Sequence, residues 1–350
     1  MARRSALPSP WGVRSAALTV AVSGLVSALG LGWWWLDAAP SRPAGTLVGI
    51  VGSGPEARVV ELPSGRPLAA APSYPYGRGP EGTLLLTVDN DVALLDSKGS
   101  LRRLAASAAN DWHPALQPGG HRVLFESNRD AFRELYLLDL DAKQPRRLTH
   151  DPEGNFDGSW SSDGRRICFS SSRAQQLDLY VMNADGTAQT RWTRHPGDAV
   201  RCAFSSDGNH VAYLSARDGR DDVFVIDGAG ELSRNVTGEV FDRPAQALRF
   251  AWHPEAARLL VSAGGFGTPG RVFVLDLDSG ERLLLTPDGA SDAEADWSPD
   301  GEWVALVRRV DGEVRLVTIH VATGHTERLG DGVEAWLLRW LPPTGARKGT

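Results

Sequence analysis

A phrase returns along this chain every 43 to 48 residues: an apolar anchor, a short polar turn, an apolar run, an aromatic run and a closing Leu-Thr or similar. With the anchor at Leu116, Trp160, Phe204, Trp252, Trp297 and Trp340, the steps are 44, 44, 48, 45 and 43 residues. A fixed period of this length means one supersecondary unit stacked on copies of itself, because a single unit cannot bury its own apolar faces. Further columns keep the same beat. Tyr136, Tyr180, Phe224, Phe273 and Leu316 form one; Thr149, Thr193, Thr237, Thr286 and Gly330 form a second; Asp139, Asn183, Asp227 and Asp276 follow the aromatic in a third.

Inside a unit the apolar residues alternate over short runs such as Val123/Phe125, Val211/Tyr213 and Val304/Leu306, the period of a half-buried strand. Asp163-Gly164, Asp207-Gly208 and Asp300-Gly301 supply residues that tolerate positive φ, as a tight hairpin between consecutive strands requires. The unit is therefore a four-stranded antiparallel meander, and its length is that of a β-propeller blade. The expected fold is all-β.

Five full units begin at Leu116, Trp160, Phe204, Trp252 and Trp297. After them, residues 336–345 read as a first strand with nothing following, whereas the segment from Thr46 reads as second, third and fourth strands with none before them. The two ends are expected to complete one blade, which removes an exposed sheet edge and locks the ring. Residues 82–106 supply another set of strands, giving seven blades over residues 46–345. Six is the alternative, with residues 46–71 folded against the side as an extra hairpin.

Ahead of the repeats, residues 15–36 form 22 residues without a charge, preceded by Arg3, Arg4 and Arg14 and ending in Trp33, Trp34, Trp35 and Leu36. That length spans a bilayer, and the arginines favour a cytoplasmic residue 1–14 segment. A transmembrane anchor is the favoured reading and a cleaved signal peptide the competing one. Either exports the propeller, and the anchor makes it a single-pass cell-membrane protein with its repeats on the periplasmic side. Residues 37–45 are a short Pro-containing linker.

A net charge of −6 makes nucleic acid a poor partner. Cys168 and Cys202 lie in adjacent units; the sequence leaves open whether they are bridged or are two small buried hydrophobes.

The stretches SWSSDGRRICFSSSR, DLYVMNADGTAQTRWT, LSARDGRDDVFVIDGAG and DWSPDGEWVAL resemble the WD-like repeats of the TolB propeller family, most strongly over residues 107–335. The Tol-system member of that family carries an α/β domain before its propeller; here an apolar segment and a linker stand in that place. The resemblance implies a channel mouth that receives a partner peptide.

The loops between strands four and one, and between strands two and three, share one face of such a ring. Asp111 and Asp292 occupy the family's Asp position, Asn155, Asp157 and Asp198 lie at or near it, and Arg129, Arg173 and Arg217 recur on the neighbouring loops. Two readings compete. Asp and Asn can satisfy loop amides while Arg pairs with the Asp of the next blade, or the ring can bind a partner segment or a cation.

A hydrolase of the prolyl-oligopeptidase type would need an α/β-hydrolase domain with a G-x-S-x-G elbow, and the chain has neither. The eight histidines do not converge in sequence on one metal centre. The reading is therefore a non-catalytic protein–protein interaction platform, with no cofactor or resident metal and with its small-molecule ligands unspecified. Its alternative is an exported metal-assisted lyase, or another enzyme acting on carbohydrate or peptide in the channel.

Overall fold

The computed structural model describes most residues between 43 and 341; residues 1–42, 52–57, 70–72, 79–82, 239–247, 265–269, 332–334 and 342–350, with a few isolated positions, lie outside the description. Within it the chain forms seven four-stranded antiparallel sheets. Blades 1 to 6 are consecutive meanders over residues 73–103, 111–147, 155–191, 199–235, 249–284 and 291–331. Blade 7 joins the two ends: Ala335–Leu341 pairs antiparallel with Thr46–Val51, which continues into Arg58–Leu62 and Arg66–Ala69. The register sets Thr46 opposite Leu341 and Leu47 opposite Trp340. Seven blades are thus present, and the six-blade alternative fails because residues 46–69 complete a blade and do not form a side hairpin.

The core is divided among the gaps between blades. Seven buried clusters each combine side chains from two consecutive blades, and the last joins Val48, Ile50 and Leu341 to Leu84, Leu86 and Leu95 across the closure. No blade can bury its own two faces alone, which is the physical reason for the period. The repeating tryptophan has a second task. Trp160 Nε1 donates to Ala115 O at 3.0 Å, Trp252 Nε1 to Ala203 O at 2.9 Å, and Trp297 Nε1 to Ala251 O at 3.3 Å. Each indole therefore reaches the carbonyl just before the previous anchor and ties one blade to the next.

The closing threonine is explained as well. Thr149, Thr193, Thr237 and Thr286 accept the backbone N–H of Leu135, Leu179, Val223 and Val272 on the third strand, at 2.8 to 3.0 Å. In blades 2 to 4 the same hydroxyl donates to Glu134, Asp178 or Asp222, and each of those acids is paired with Arg147, Arg191 or Arg220. Between blades 3 and 4 a disulfide joins Cys168 to Cys202, with Cα atoms 6.2 Å apart, inside an apolar cluster. This settles the open cysteine question in favour of a bridge: the second strand of one blade and the first strand of the next face each other across the gap.

The apolar segment at 15–36 and the linker at 37–42 lie outside the described residues. Among the described residues no helix is long and apolar enough to cross a membrane.

Candidate functional site

The first strand of each blade lies innermost, where it approaches the first strands of its neighbours around the axis. Most of these strands are interrupted at their third position. The pairing with the second strand slips between Trp112 and Ala115, Phe156 and Ser159, Val200 and Ala203, and Ala293 and Asp296. At each slip one non-glycine residue has positive φ: His113 (45°), Asp157 (54°), Arg201 (56°) and Glu294 (55°), with Leu337 (51°) in the closing strand. Such bulges re-aim a side chain and interrupt the ladder. Left-handed backbone at a non-glycine costs energy, and it concentrates at sites where a side chain must be presented.

Together with Arg249, whose strand pairs without a slip, these residues form one column three positions before the anchor: His113, Asp157, Arg201, Arg249, Glu294 and Leu337. Unlike its neighbours, the column does not repeat a chemical type. Adjacent members touch around much of the ring. Tyr76 in blade 1 meets the His113 ring edge-on at 5.8 Å, and His113 Nδ1 is 3.7 Å from Asp157 Oδ1. On the far side Arg249 Nη2 is 3.4 Å from Glu294 Oε1, while Glu294 Oε2 accepts Leu337 N–H at 2.9 Å.

The densest part lies at blades 2 and 3. Glu126, fully buried on the second strand of blade 2, faces His113 Nδ1 at 2.9 Å and accepts the Asp157 N–H at 2.6 Å. Arg133 Nε donates to its other oxygen at 2.5 Å, and the same guanidinium lies 4.6 Å from the Trp112 ring centre and 5.1 Å from that of Phe156. Phe132, next in sequence, is 48% exposed, so an aromatic and cationic rim borders the acids. Burial lowers the affinity of His113 for a proton, but the hydrogen bond and charge of Glu126, with Asp157, outweigh it and hold the imidazole above its usual pKa. Burial and then the Glu126 charge raise Asp157, against the pull of His113, Arg201 and Arg133.

The acid and arginine columns read from sequence fall elsewhere. Asp111 and Asn155 begin their first strands, Asp292 is second in its own, and all three are wholly or almost wholly buried. Arg129 Nη2 donates to both Asp111 oxygens at 3.1 and 3.2 Å; Arg173 Nη2 donates to Asn155 at 2.9 Å; Arg308 grips Asp292 at 2.7 and 2.8 Å. The acid or amide belongs to the same blade as its arginine, not to the next one. The previous blade contributes carbonyls instead: Ala105 O accepts from Arg129 and Leu285 O from Arg308. In blade 4, where Ala199 holds the corresponding place, Arg217 lies 3.7 Å from the Phe224 ring centre. Asp198 is exposed and accepts the Leu177 N–H at 3.0 Å. Of the eight residues, only Asp157 joins the inner ring.

Sequence reasoning passed over Glu126, Arg133, Arg201, Arg249 and Glu294. The signal was available: the anchor-minus-three column varies while its neighbours repeat, and Glu126 places an acid where the next two blades have Ser170 and Leu214.

Repeats, blade count and closure together define a seven-bladed β-propeller, and part of it is similar to the TolB propellers. Residues 155–249 match the TolB beta propeller domain family. The fold is similar to TolB from Acinetobacter baumannii, with 19% identity and a TM-score of 0.54 over 85% of this chain and 67% of that one. It is also similar to a puromycin hydrolase, with 18% identity and a TM-score of 0.64 over 83% of this chain and 54% of that one; this chain thus spans about half of that enzyme's length. An oligogalacturonate lyase in complex with manganese shares 13% identity and a TM-score of 0.54 over 83% of this chain and 75% of that one. At these identities the likeness is one of fold. No curated protein matches the chain.

Proposed function

We propose that this protein is a non-catalytic interaction platform that takes a peptide or protein segment at the channel mouth, held on the extracytoplasmic side of the cell membrane by residues 15–36. One observation carries the reading: on the first strands the repeating polar residues are consumed in clamps, while strained bulges present a non-repeating ring of mixed charge to the channel. A surface that varies from blade to blade suits recognition of an asymmetric segment. Its border of Tyr76, Trp112, Arg133 and Phe156 has the composition of binding hot spots. The Cys168–Cys202 bond supports an oxidising, exported setting, and the likeness to TolB supports the platform role by analogy of fold alone.

The test is affinity capture from native membranes with the wild-type protein and with an Arg201→Glu/Arg249→Glu variant of equal melting temperature. Loss of the same specific partner from the variant supports the reading; equal capture by both overturns it. Fractionation tests the anchor, since recovery of a soluble form beginning near residue 40 contradicts it.

A second reading, an enzyme acting on carbohydrate or peptide through a channel metal, is favoured by one feature: His113, Glu126 and Asp157 offer donor atoms within 4.8 Å of one another. Metal-dependent turnover of a polysaccharide or peptide, lost on His113→Ala, would place it ahead of the platform reading.

A further inference from the structure

Five buried first- or third-strand acids of blades 2, 3, 4 and 6 each have their own arginine: Asp111 with Arg129, Glu134 with Arg147, Asp178 with Arg191, Asp222 with Arg220 and Asp292 with Arg308. The group at the mouth breaks that rule. Glu126 and Asp157 have one arginine between them, Arg133, and it bonds Glu126. Asp157 has no arginine within ion-pair distance among the described residues; its nearest cationic group is the His113 ring at 3.7 Å. With neutral histidine, Glu126, Asp157 and Arg133 sum to one negative charge, which Arg201 attracts from beyond ion-pair distance, and a partly buried charge of that kind calls for a cation.

We propose that His113, Glu126 and Asp157 form a binding site for one divalent first-row metal ion at the channel mouth. An imidazole with two carboxylates is a donor set for Zn²⁺ or Mn²⁺. The three donors come from three strands of two blades, and their ligand atoms already lie within 4.8 Å of one another. Glu126 is oriented for this role: Arg133 holds Oε2, and Oε1, which accepts the Asp157 N–H at 2.6 Å, faces His113 Nδ1 at 2.9 Å. Support of a ligating carboxylate by an outer hydrogen bond is a regular feature of metal sites. Nδ1 must be unprotonated to ligate, so a hydrogen that it shares with Oε1 is released to solvent when the ion binds. Three protein donors leave at least one coordination position for water or a ligand group.

The site requires neither turnover nor a known partner, so it stands or falls separately from both readings above. The full-length protein, stripped with a chelator, is titrated calorimetrically with Zn²⁺ and with Mn²⁺, the latter also followed by electron paramagnetic resonance. One ion per chain is expected. Affinity should fall at least about tenfold in His113→Ala and in Asp157→Asn, with melting temperature of the metal-free protein retained, and should be unchanged in His325→Ala, which removes an exposed imidazole elsewhere. If neither ion binds at about 1 mM, or if binding survives both substitutions, the proposal is overturned. Should His113→Ala fail to fold, Asp157→Asn alone decides, because its isosteric amide leaves the backbone bond from Asp157 N–H to Glu126 in place.

Discussion

Two sets of polar residues lie two positions apart on the same inner strands, yet they differ in nearly every physical respect. Asp111, Asn155 and Asp292 repeat, are buried, and are gripped by an arginine of their own blade. His113, Asp157, Arg201 and Glu294 do not repeat, sit on left-handed bulges, and meet residues of neighbouring blades or the channel. Repetition in a propeller therefore marks what every blade needs in order to stand beside the next one. Variation inside a repeating frame marks what the ring presents to a ligand.

Breaking a clamp should have the largest effect. Asp292→Ala strands the Arg308 guanidinium, only 12% exposed, without its carboxylate and should cost about 3–5 kcal/mol, read from denaturant midpoints. Separating blades 3 and 4 comes next: Cys168→Ala with Cys202→Ala opens a bridge between positions 34 residues apart and should cost about 2–4 kcal/mol, with the same loss in wild type on reduction. A melting temperature insensitive to reductant would show that this gap depends on packing alone.

Smaller effects sharpen the comparison. Trp160→Phe deletes the bond to Ala115 O while keeping most of the ring, so about 1–2 kcal/mol should be lost. Asp276, in the repeating turn column, is held at about 2 by the Ser279 backbone N–H and by Arg258. Its folded pKa is below the unfolded one, so its contribution is present above pH about 4 and disappears as pH falls toward about 2. Because Arg258 is 47% exposed, solvent screening holds that contribution to about 1 kcal/mol, and the gap between wild type and Asp276→Ala should close over that range. At the other extreme, the raised pKa of Asp157 means that its charged form weakens the metal-free fold above that pKa. Asp157→Asn should therefore leave stability at pH 7 unchanged or raise it by no more than about 1 kcal/mol.

The sequence carried the scaffold because anchor and threonine make the same contact in blade after blade: Trp160, Trp252 and Trp297 each donate to the carbonyl before the previous anchor, and Thr149, Thr193 and Thr237 each donate to the acid at one third-strand position. Ring closure was legible from complementary ends. The site was less so, since Asp111 and Asp157 look equivalent in a one-dimensional reading. Only the bulge after Phe156 separates a carboxylate turned toward the channel from one buried under arginine. Pairing of Cys168 with Cys202 was equally hidden, because it depends on which faces of two blades oppose.

The division between clamp and ring is tested most directly by melting and capture on the same samples of wild type and Arg201→Glu/Arg249→Glu. Arg201 is exposed and Arg249 is 41% exposed, so the account predicts a melting temperature close to wild type and loss of the partner taken from native membranes. A variant that melts far below wild type, or one that retains capture in full, would contradict it.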